Sequence, residues 1–477
     1  MRLRRLLECV PGLSLETGCP EMDITGVCCD SRRVESGMLY AAIPGVCSDG
    51  HDFLEQAARA GAAAVLVSRD GVQFPGAVLC AADTREAYAR IEREFAGCPD
   101  EELCMLGVTG TNGKTTTAYL MAALAETAAS GGLLSTVEVR TPESRRDSDC
   151  TTPDPRTFFR FARQVREEQG KYLAMELSSH ALDQSRTGGV RFQAAVFTNL
   201  TGDHLDYHKT MERYFAAKSR LFTEWLDGRA VINVDDAWGR KLCPLSRGRE
   251  LITFGTSADA DCRITEIRQT AEGTGCVLLR DGKAWPVFTP MVGKHNLYNL
   301  TGAMLAAEVF GVPFGTVCAP AVPGRLEPVR GGGINCFVDY AHTDDALTQV
   351  LQALRPLVKG RLITVFGCGG DRDRSKRPRM GQAAQKNSDL VIVTSDNPRS
   401  EDPAEIIARI VDGMTGEKSY MVEPDRAAAI RLAGSLAEPG DCILVAGKGH
   451  ENYQEISGVR HPFSDAEHLR NALSRRS

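Results

Sequence analysis

Apolar positions along this chain recur in blocks whose spacing switches between strand-like and helix-like, and the switch repeats. Near the start, "EQAARAGAA" has helical spacing and the following "AAVLVS" reads as a strand. From residue 103, "LCMLGVTG" reads as a strand, followed by a polar loop and a helix over "TTTAYLMAALAETA". "YLAMEL", "AAVFTN" and "AVINVD" read as further strands, each beside a helical segment. Such alternation predicts a mainly parallel α/β sheet. The stretch "VPGRLEPV" at 322–329 breaks the pattern, and beyond it the alternation restarts. There "RLITVFGCGG", "LVIVTSDNP" and "CILVAGKGH" pass from strand directly into polar loop. Ligands of open parallel sheets bind beyond the carboxyl ends of the strands. The three loops are therefore expected on one rim, as a binding site.

A chain of 477 residues exceeds one hydrophobic core. With "GCPDEE" (97–102) as a linker, the expected architecture is three α/β domains. These are an N-terminal mixed α/β domain (1–98), a central P-loop ATPase-like parallel-sheet domain (99–326) and a C-terminal Rossmann-like domain (327–477). A net charge of -6 gives no reason to expect nucleic-acid binding. No apolar run of about 18 residues predicts a membrane span. Glu8 and Pro11 interrupt the basic opening "MRLRRLLECVPGL", which is read as the start of the mature fold. The 16 cysteines are scattered without a CxxC pair, as free thiols in a reducing cytosol would be.

"GVTGTNGKTTTAY" (107–119) carries the chemistry of a phosphate cradle, although Val108 stands where the usual P-loop has its first glycine. Gly110 and Gly113 permit the turn, Lys114 supplies positive charge, and Thr115 offers a hydroxyl to Mg²⁺. Glu176 in "MELSSH" ends a neighbouring strand, as a metal-binding carboxylate or as an ordinary capping residue. His204 in "TNLTGDHLDYH" follows the next strand, as a site residue or a structural one. In "MERYFAAKSRLFTEW", Lys218 falls within a helical stripe of Met211, Tyr214, Leu221, Phe222 and Trp225. Such a lysine either snorkels outward or is desolvated with a lowered pKa. In the second case its neutral amine can take up carbon dioxide as a carbamate, an anionic metal ligand.

Taken together, these residues resemble the Mur ligases, ATP-dependent enzymes of peptidoglycan precursor synthesis. The resemblance runs along nearly the whole chain, through "DSRRVESGMLYAAIPG", "GTNGKTTT", "TTPDP", "MELSSHALDQSR", "TNLTGDHLDYH", "YFAAKSRLF", "GKHNLYNLTGA", "PGRLE", "DYAHTDDAL", "GCGGDRDRSKRPRMG", "TSDNPR" and "GKGHE". The family's own loop reads GTxGKT, which accounts for the missing early glycine. The resemblance is to the branch that adds meso-diaminopimelate to UDP-MurNAc-L-Ala-D-Glu through an acyl phosphate.

By that resemblance, Gly110, Thr111, Asn112, Gly113, Lys114, Thr115, Thr116, His295, Asn296, Arg325 and Asp339 contact ATP. Thr115 and Glu176 hold one Mg²⁺, while His204 and Lys218, as N6-carboxylysine, serve a second. Lys114, Glu176, His204 and Lys218 form the catalytic set. Asp30, Ser31, Arg32, Thr151, Thr152, Ser178, Gln184 and Arg186 match the UDP-sugar-peptide site of the first domain and its neighbour. Arg372, Asp396, Asn397, Pro398, Arg399, Gly447 and Glu451 match the diaminopimelate site. Arg399 in "DNPR" is suited to grip the second carboxylate that diaminopimelate has and lysine lacks.

The expected partners are thus three small molecules, with no nucleic acid and no membrane, in a cytoplasmic monomer. Two departures stand out: Asp344 replaces a usual Pro, which allows a looser turn, and Ser135 replaces a usual Gly near the sugar contacts. Three other classes of protein share parts of this pattern. A folylpolyglutamate synthetase-like ligase shares the ATP core but lacks "DSR" and "DNPR". A P-loop switch needs no loaded loops on a second sheet. A dehydrogenase has only the weak glycine cluster of "GCGGDR" in its favour.

Overall fold

Along the strand Cys104–Thr109, Leu106 and Val108 enter one hydrophobic core and Met105 enters another. That period of two is what a strand covered on both faces requires. The computed structural model describes residues 1–474 except 46–47, 149, 247, 271–272, 319, 321, 330, 332 and 417–418. Leu106 and Val108 share their core with the helices Lys114–Glu126 and Lys294–Ala307, which pack on each other. Met105 shares its core with Pro155–Glu167 and Met211–Thr223. The helix after the glycine loop is more deeply enclosed than its sequence spacing suggests, being buried at every position from 115 to 122.

The strand belongs to an 11-stranded sheet. Glu250–Gly255, Leu226–Asn233, Phe192–Phe197, Cys104–Thr109, Tyr172–Glu176 and Gly132–Leu134 are neighbours in that order, and every pair is parallel. Antiparallel pairs extend both ends: Cys262–Thr270 with Gly273–Arg280 and Lys283–Thr289, and Gly132–Leu134 with Glu138–Arg140 and Arg145–Asp147. Alternation in the sequence marks the parallel centre but not these flanks, whose connections are too short to hold a helix.

Before it lies a five-stranded sheet of Ser14–Thr17, Ala77–Cys80, Ala64–Val67, Leu39–Ala41 and Val27–Cys28, antiparallel only at the first pair. "GCPDEE" between the two sheets is ordered: Pro99–Glu101 makes one tight turn, and the buried Asp100 carboxylate accepts from Arg93 Nε at 2.8 Å.

The last sheet runs Glu327–Val329, Asn335–Asp339, Cys442–Ala446, Leu362–Phe366, Leu390–Val393 and Tyr420–Val422, parallel except for the first pair. The three strands with loaded loops are adjacent in it, so their carboxyl ends share one edge. Beneath them Arg426 and Asp465, both fully buried, form a bidentate pair with two bonds of 2.7 Å. The same guanidinium donates to the Ala446 and Ser395 carbonyls at 2.9 and 3.3 Å, tying two of the loop bases together. Three α/β units, each built on its own largely parallel sheet, are the architecture the sequence predicts. Among the described residues no helix is long and apolar enough to cross a membrane.

Candidate active site

The loop between Cys104–Thr109 and Lys114–Glu126 is shaped by two glycines with different reasons to be there. Gly110 has φ +151°, and a Cβ on it would lie 1.9 Å from Thr198 Oγ1. Gly113 has φ +87°, and a Cβ on it would meet Asn299 Oδ1 at 2.3 Å. Glycine alone satisfies both the backbone and the space. No side chain caps the helix at Gly113, and the first intrahelical bond is Thr117 N to Gly113 O. The amides of Lys114, Thr115 and Thr116 therefore face forward without helical partners, an anion cradle. Lys114 folds back over it, donating from Nζ to the Gly110 and Thr111 carbonyls at 3.1 and 2.8 Å. Burial, together with the nearby Arg325, pulls the Lys114 amine below its usual range against the opposing field of Glu176.

Lys218 takes the buried of the two positions its stripe allows. It is 1% exposed, and Nζ donates to the Gly110 carbonyl at 2.7 Å and to Thr109 Oγ1 at 3.4 Å. Burial first, and then the Lys114 charge, push its amine well below the ordinary lysine range. Its stripe packs into the core through Tyr214, Leu221, Phe222 and Trp225. Glu176 is fully buried at the end of its strand and does not cap a helix: its carboxylate accepts from Thr136 N at 2.8 Å and Thr136 Oγ1 at 3.1 Å. His204 stands seven residues beyond the strand Phe192–Phe197, with φ +53° and Nε2 3.5 Å from Asp203 Oδ2.

These groups line one cleft together with Thr111, Asn112, Thr151, Ser178, His295 and Asn296, and with Arg325 and Asp339 from the junction to the last sheet. Arg325 Nη2 donates to Thr115 Oγ1 at 2.8 Å. Asp339 accepts from Leu326 N at 2.6 Å and Ala341 N at 2.8 Å, and burial raises its carboxyl above the usual range. From the same side, Asp345 Oδ2 accepts from Asn112 Nδ2 at 2.9 Å, so the last unit touches the loop itself.

A second cleft joins the first through Thr151, Asp203, His204, Tyr340 and His342. Its far wall carries Arg372, Asp396, Asn397, Arg399, Gly447 and Glu451, so the three predicted loops do meet; Pro398 is buried and outside the lining. Arg399 is half-buried, with Nη1 on the Gly370 carbonyl at 2.7 Å and Nε 3.7 Å from Glu455. Asn397 Nδ2 donates to Glu451 Oε2 at 2.7 Å. Arg372 is exposed at the rim.

Thr152, Gln184 and Arg186 form a small network behind Ser178, with Arg186 Nη1 on the Thr152 carbonyl at 2.7 Å and Thr152 Oγ1 on the Glu176 carbonyl at 2.8 Å. Asp30, Ser31 and Arg32 line neither cleft: Asp30 caps a short turn, pairs with Arg32 at 2.9 Å, and Ser31 bonds Gln56. The looser turn expected at Asp344 is not formed. Asp344 starts the helix Asp344–Leu354, where a negative charge suits the dipole, and it pairs with Arg379 at 3.3 Å. Ser135 is buried and closes its own turn through Glu138 N and O.

Sequence reasoning passed over Asp203, Asn299, Lys376 and Lys448, all of which the structure brings to the clefts or their walls. The last two stand inside "DRSKRP" and "GKGHE", where nothing in the spacing separates a site lysine from a surface one.

The chain matches three family descriptions in order: "Mur ligase family, catalytic domain" over residues 23–94, "Mur ligase middle domain" over 108–307, and "Mur ligase, glutamate ligase domain" over 324–449. It is 43% identical over 456 residues to the UDP-N-acetylmuramoyl-L-alanyl-D-glutamate--2,6-diaminopimelate ligase of Aquifex aeolicus, covering 94% of each chain. It is 43% identical over 489 residues to the protein of the same name from Gloeobacter violaceus, covering 100% of this chain and 99% of that one. A solved structure of a UDP-N-acetylmuramoyl-L-alanyl-D-glutamate--2,6-diaminopimelate ligase superposes with a TM-score of 0.71 at 33% identity, over 100% of this chain and 99% of the other. With all three domains matched in order and relatives 43% identical over nearly the whole chain, the chain belongs to the Mur ligase family of ATP-dependent ligases.

Proposed function

We propose that this enzyme joins meso-diaminopimelate to UDP-N-acetylmuramoyl-L-alanyl-D-glutamate, with ATP as the energy source, in the cytoplasm and as a monomer. The observation that carries the reading is the continuity of the two clefts through His204 and Thr151. A phosphate cradle at one end and a guanidinium–carboxylate-lined wall at the other bracket one space. A switch or motor has no use for the second wall. The relatives that cover nearly the whole chain bear the same activity in their names.

The chemistry follows from the acceptor's weakness as an acyl donor. A carboxylate oxygen of the D-glutamyl residue attacks the γ-phosphorus of ATP, and ADP leaves. The incoming amine then attacks the carbonyl carbon of the acyl phosphate, loses a proton, and expels inorganic phosphate. Water must be kept out while the acyl phosphate exists. The buried walls around Glu176 and Lys218 serve that end.

In this reading, the cradle amides with Gly110, Thr111, Asn112, Gly113, Lys114 and Thr116 hold the phosphates, and Lys114 offsets charge between two anions. His295, Asn296, Arg325 and Asp339 complete the nucleotide contacts. Asp30, Ser31, Arg32, Thr151, Thr152, Ser178, Gln184 and Arg186 receive the UDP-sugar peptide. Arg372, Asp396, Asn397, Pro398, Arg399, Gly447 and Glu451 receive diaminopimelate.

The donors fit magnesium: Thr115 Oγ1 and the Glu176 carboxylate are hard oxygens beside the cradle. Lys218 fits carbamate formation, because its buried amine has a depressed proton affinity. As a carbamate, Lys218 with His204 would hold a second ion. Magnesium, when bound, supplies charge neutralisation to the transferring phosphoryl group.

The test is ADP release by the purified chain with UDP-MurNAc-dipeptide and a panel of diamino acids. Release that requires both the dipeptide and diaminopimelate is expected. ADP formation indifferent to the amino acid would overturn the assignment.

A further inference from the structure

Lys448 has no part in the reaction as written, yet it is among the most enclosed cations in the chain, 0% exposed. It sits in the loop after Cys442–Ala446, and Nζ donates to Asn397 Oδ1 at 2.9 Å and Glu451 Oε2 at 3.0 Å. The ring of Tyr453 lies 5.4 Å from it. An ammonium withdrawn from water carries a penalty of several kcal/mol unless its partners are well placed. Here both partners are groups of the second cleft's wall.

The consequence for Asn397 is geometric. The two ends of a carboxamide have the same shape, and the neighbours decide which is which. Oδ1 receives Lys448 Nζ and Glu455 N, each at 2.9 Å. An ammonium only donates, so the oxygen must face it. Nδ2 is thereby turned to Glu451 Oε2, 2.7 Å away.

The consequence for Glu451 is electrostatic. Its Oε2 receives both Asn397 Nδ2 and Lys448 Nζ. Among the described residues no bond reaches Oε1, which leaves that oxygen for an incoming donor. Asp396 is a second buried carboxylate nearby, 7% exposed. Two buried carboxylates with no cation between them would drive one to protonate. Lys448 is the cation bonded directly to Glu451, and with the buried Arg426, which attracts both carboxylates, it opposes the burial and the Asp396 charge that favour the protonated form of Glu451.

We propose that Lys448 is a positioning residue for the incoming amino acid: it fixes the Asn397 amide and keeps Glu451 as the anion that receives the ligand's distal ammonium. Arg399, on the same wall of the cleft, is left to the distal carboxylate. The ligand class is an amino acid whose far end is itself a zwitterion. The proposal rests on the function proposed above.

The experiment is a double-mutant cycle on the full chain, read by ADP release with each substrate varied in turn. Wild type, K448M, E451Q and K448M/E451Q are compared. K448M is expected to raise the KM for diaminopimelate about tenfold or more, the scale of a lost charge-assisted bond. The KM values for ATP and the UDP-dipeptide should stay within about twofold. Because Lys448 acts through Glu451, the double variant should bind diaminopimelate within about twofold of E451Q alone.

A KM for diaminopimelate unchanged in K448M, KM values that rise together for all three substrates, or losses that multiply in the double variant would each overturn the proposal. Should K448M not fold, the comparison of E451Q with K448M/E451Q, in which Lys448 and the Glu451 charge it neutralises are removed together, decides alone. Wild-type ADP release that ignores diaminopimelate sinks the parent reading, whereas diaminopimelate-dependent release with a flat K448M response sinks only this one.

Discussion

Lys218 Nζ and the Gly110 carbonyl are 2.7 Å apart, which joins the Met211–Thr223 helix to the phosphate loop through a buried amine. Gly110 O also receives Lys114 Nζ, so removing Lys218 leaves no orphaned acceptor there. Lys218→Ala should therefore fold and yet lose synthesis by at least about 10²-fold, as removal of a transition-state group does. Short-chain carboxylic acids should restore part of the rate, since they return an anion to the hole. Full ADP release by the unsupplemented variant would exclude the carbamate role.

Arg399 sits half-buried over the Gly370 carbonyl, held near Glu455 at 3.7 Å. Without the second carboxylate, this half-buried guanidinium is left with incomplete partners, and at the extreme such a loss discriminates on the order of 10⁴-fold. Arg399→Ala should lose kcat/KM for diaminopimelate far more than for lysine. Competition assays with the two amino acids check this, and equal losses would remove Arg399 from the account of specificity.

At Gly113 a methyl group would meet Asn299 Oδ1 at 2.3 Å on a backbone with φ +87°. Gly113→Ala is expected to weaken ATP binding about tenfold or more while the UDP-dipeptide still binds, through strain of about 1–3 kcal/mol in the cradle. Calorimetric titration of each ligand separates the two. Unaltered ATP affinity would show that the loop accommodates the side chain.

Glu92 gives a pH signature remote from the cleft. Its carboxylate is buried beneath Tyr88, whose hydroxyl donates to it at 3.0 Å, and burial raises its pKa from 4.5 to about 7. The folded chain then holds a proton between about pH 4.5 and 7 that the unfolded chain has lost. Stability falls as pH rises through that window, by up to about 3 kcal/mol from this group. Glu92→Gln should match wild type at pH 4.5 and exceed it above pH 7. Denaturant titrations at the two pH values that gave parallel behaviour would refute the shift.

The sequence reveals the parts of this molecule that are governed by short-range patterns. The parallel centre of the large sheet, the glycine loop and the three rim loops all announce themselves through periodicity or residue type within a few positions. The Lys218 stripe was legible, but its choice between solvent and interior depends on the loop 108 residues away that offers it a carbonyl. Lys448 was invisible for a related reason. Its significance lies in Asn397, 51 positions distant, which no local pattern connects to it. The antiparallel flanks escaped because strands such as Cys262–Thr270 bury one face only and borrow their partners from neighbouring hairpins.

Arg325 lies two residues before Glu327, where the last sheet begins, and its guanidinium rests on the Thr115 hydroxyl. Any swing of the terminal unit about this short tether must drag the arginine along the mouth of the nucleotide cleft. If Thr115 takes up a cation as proposed above, Arg325 must leave its hydroxyl, so an ATP-saturated and an ATP-free enzyme should present different faces to the incoming amine.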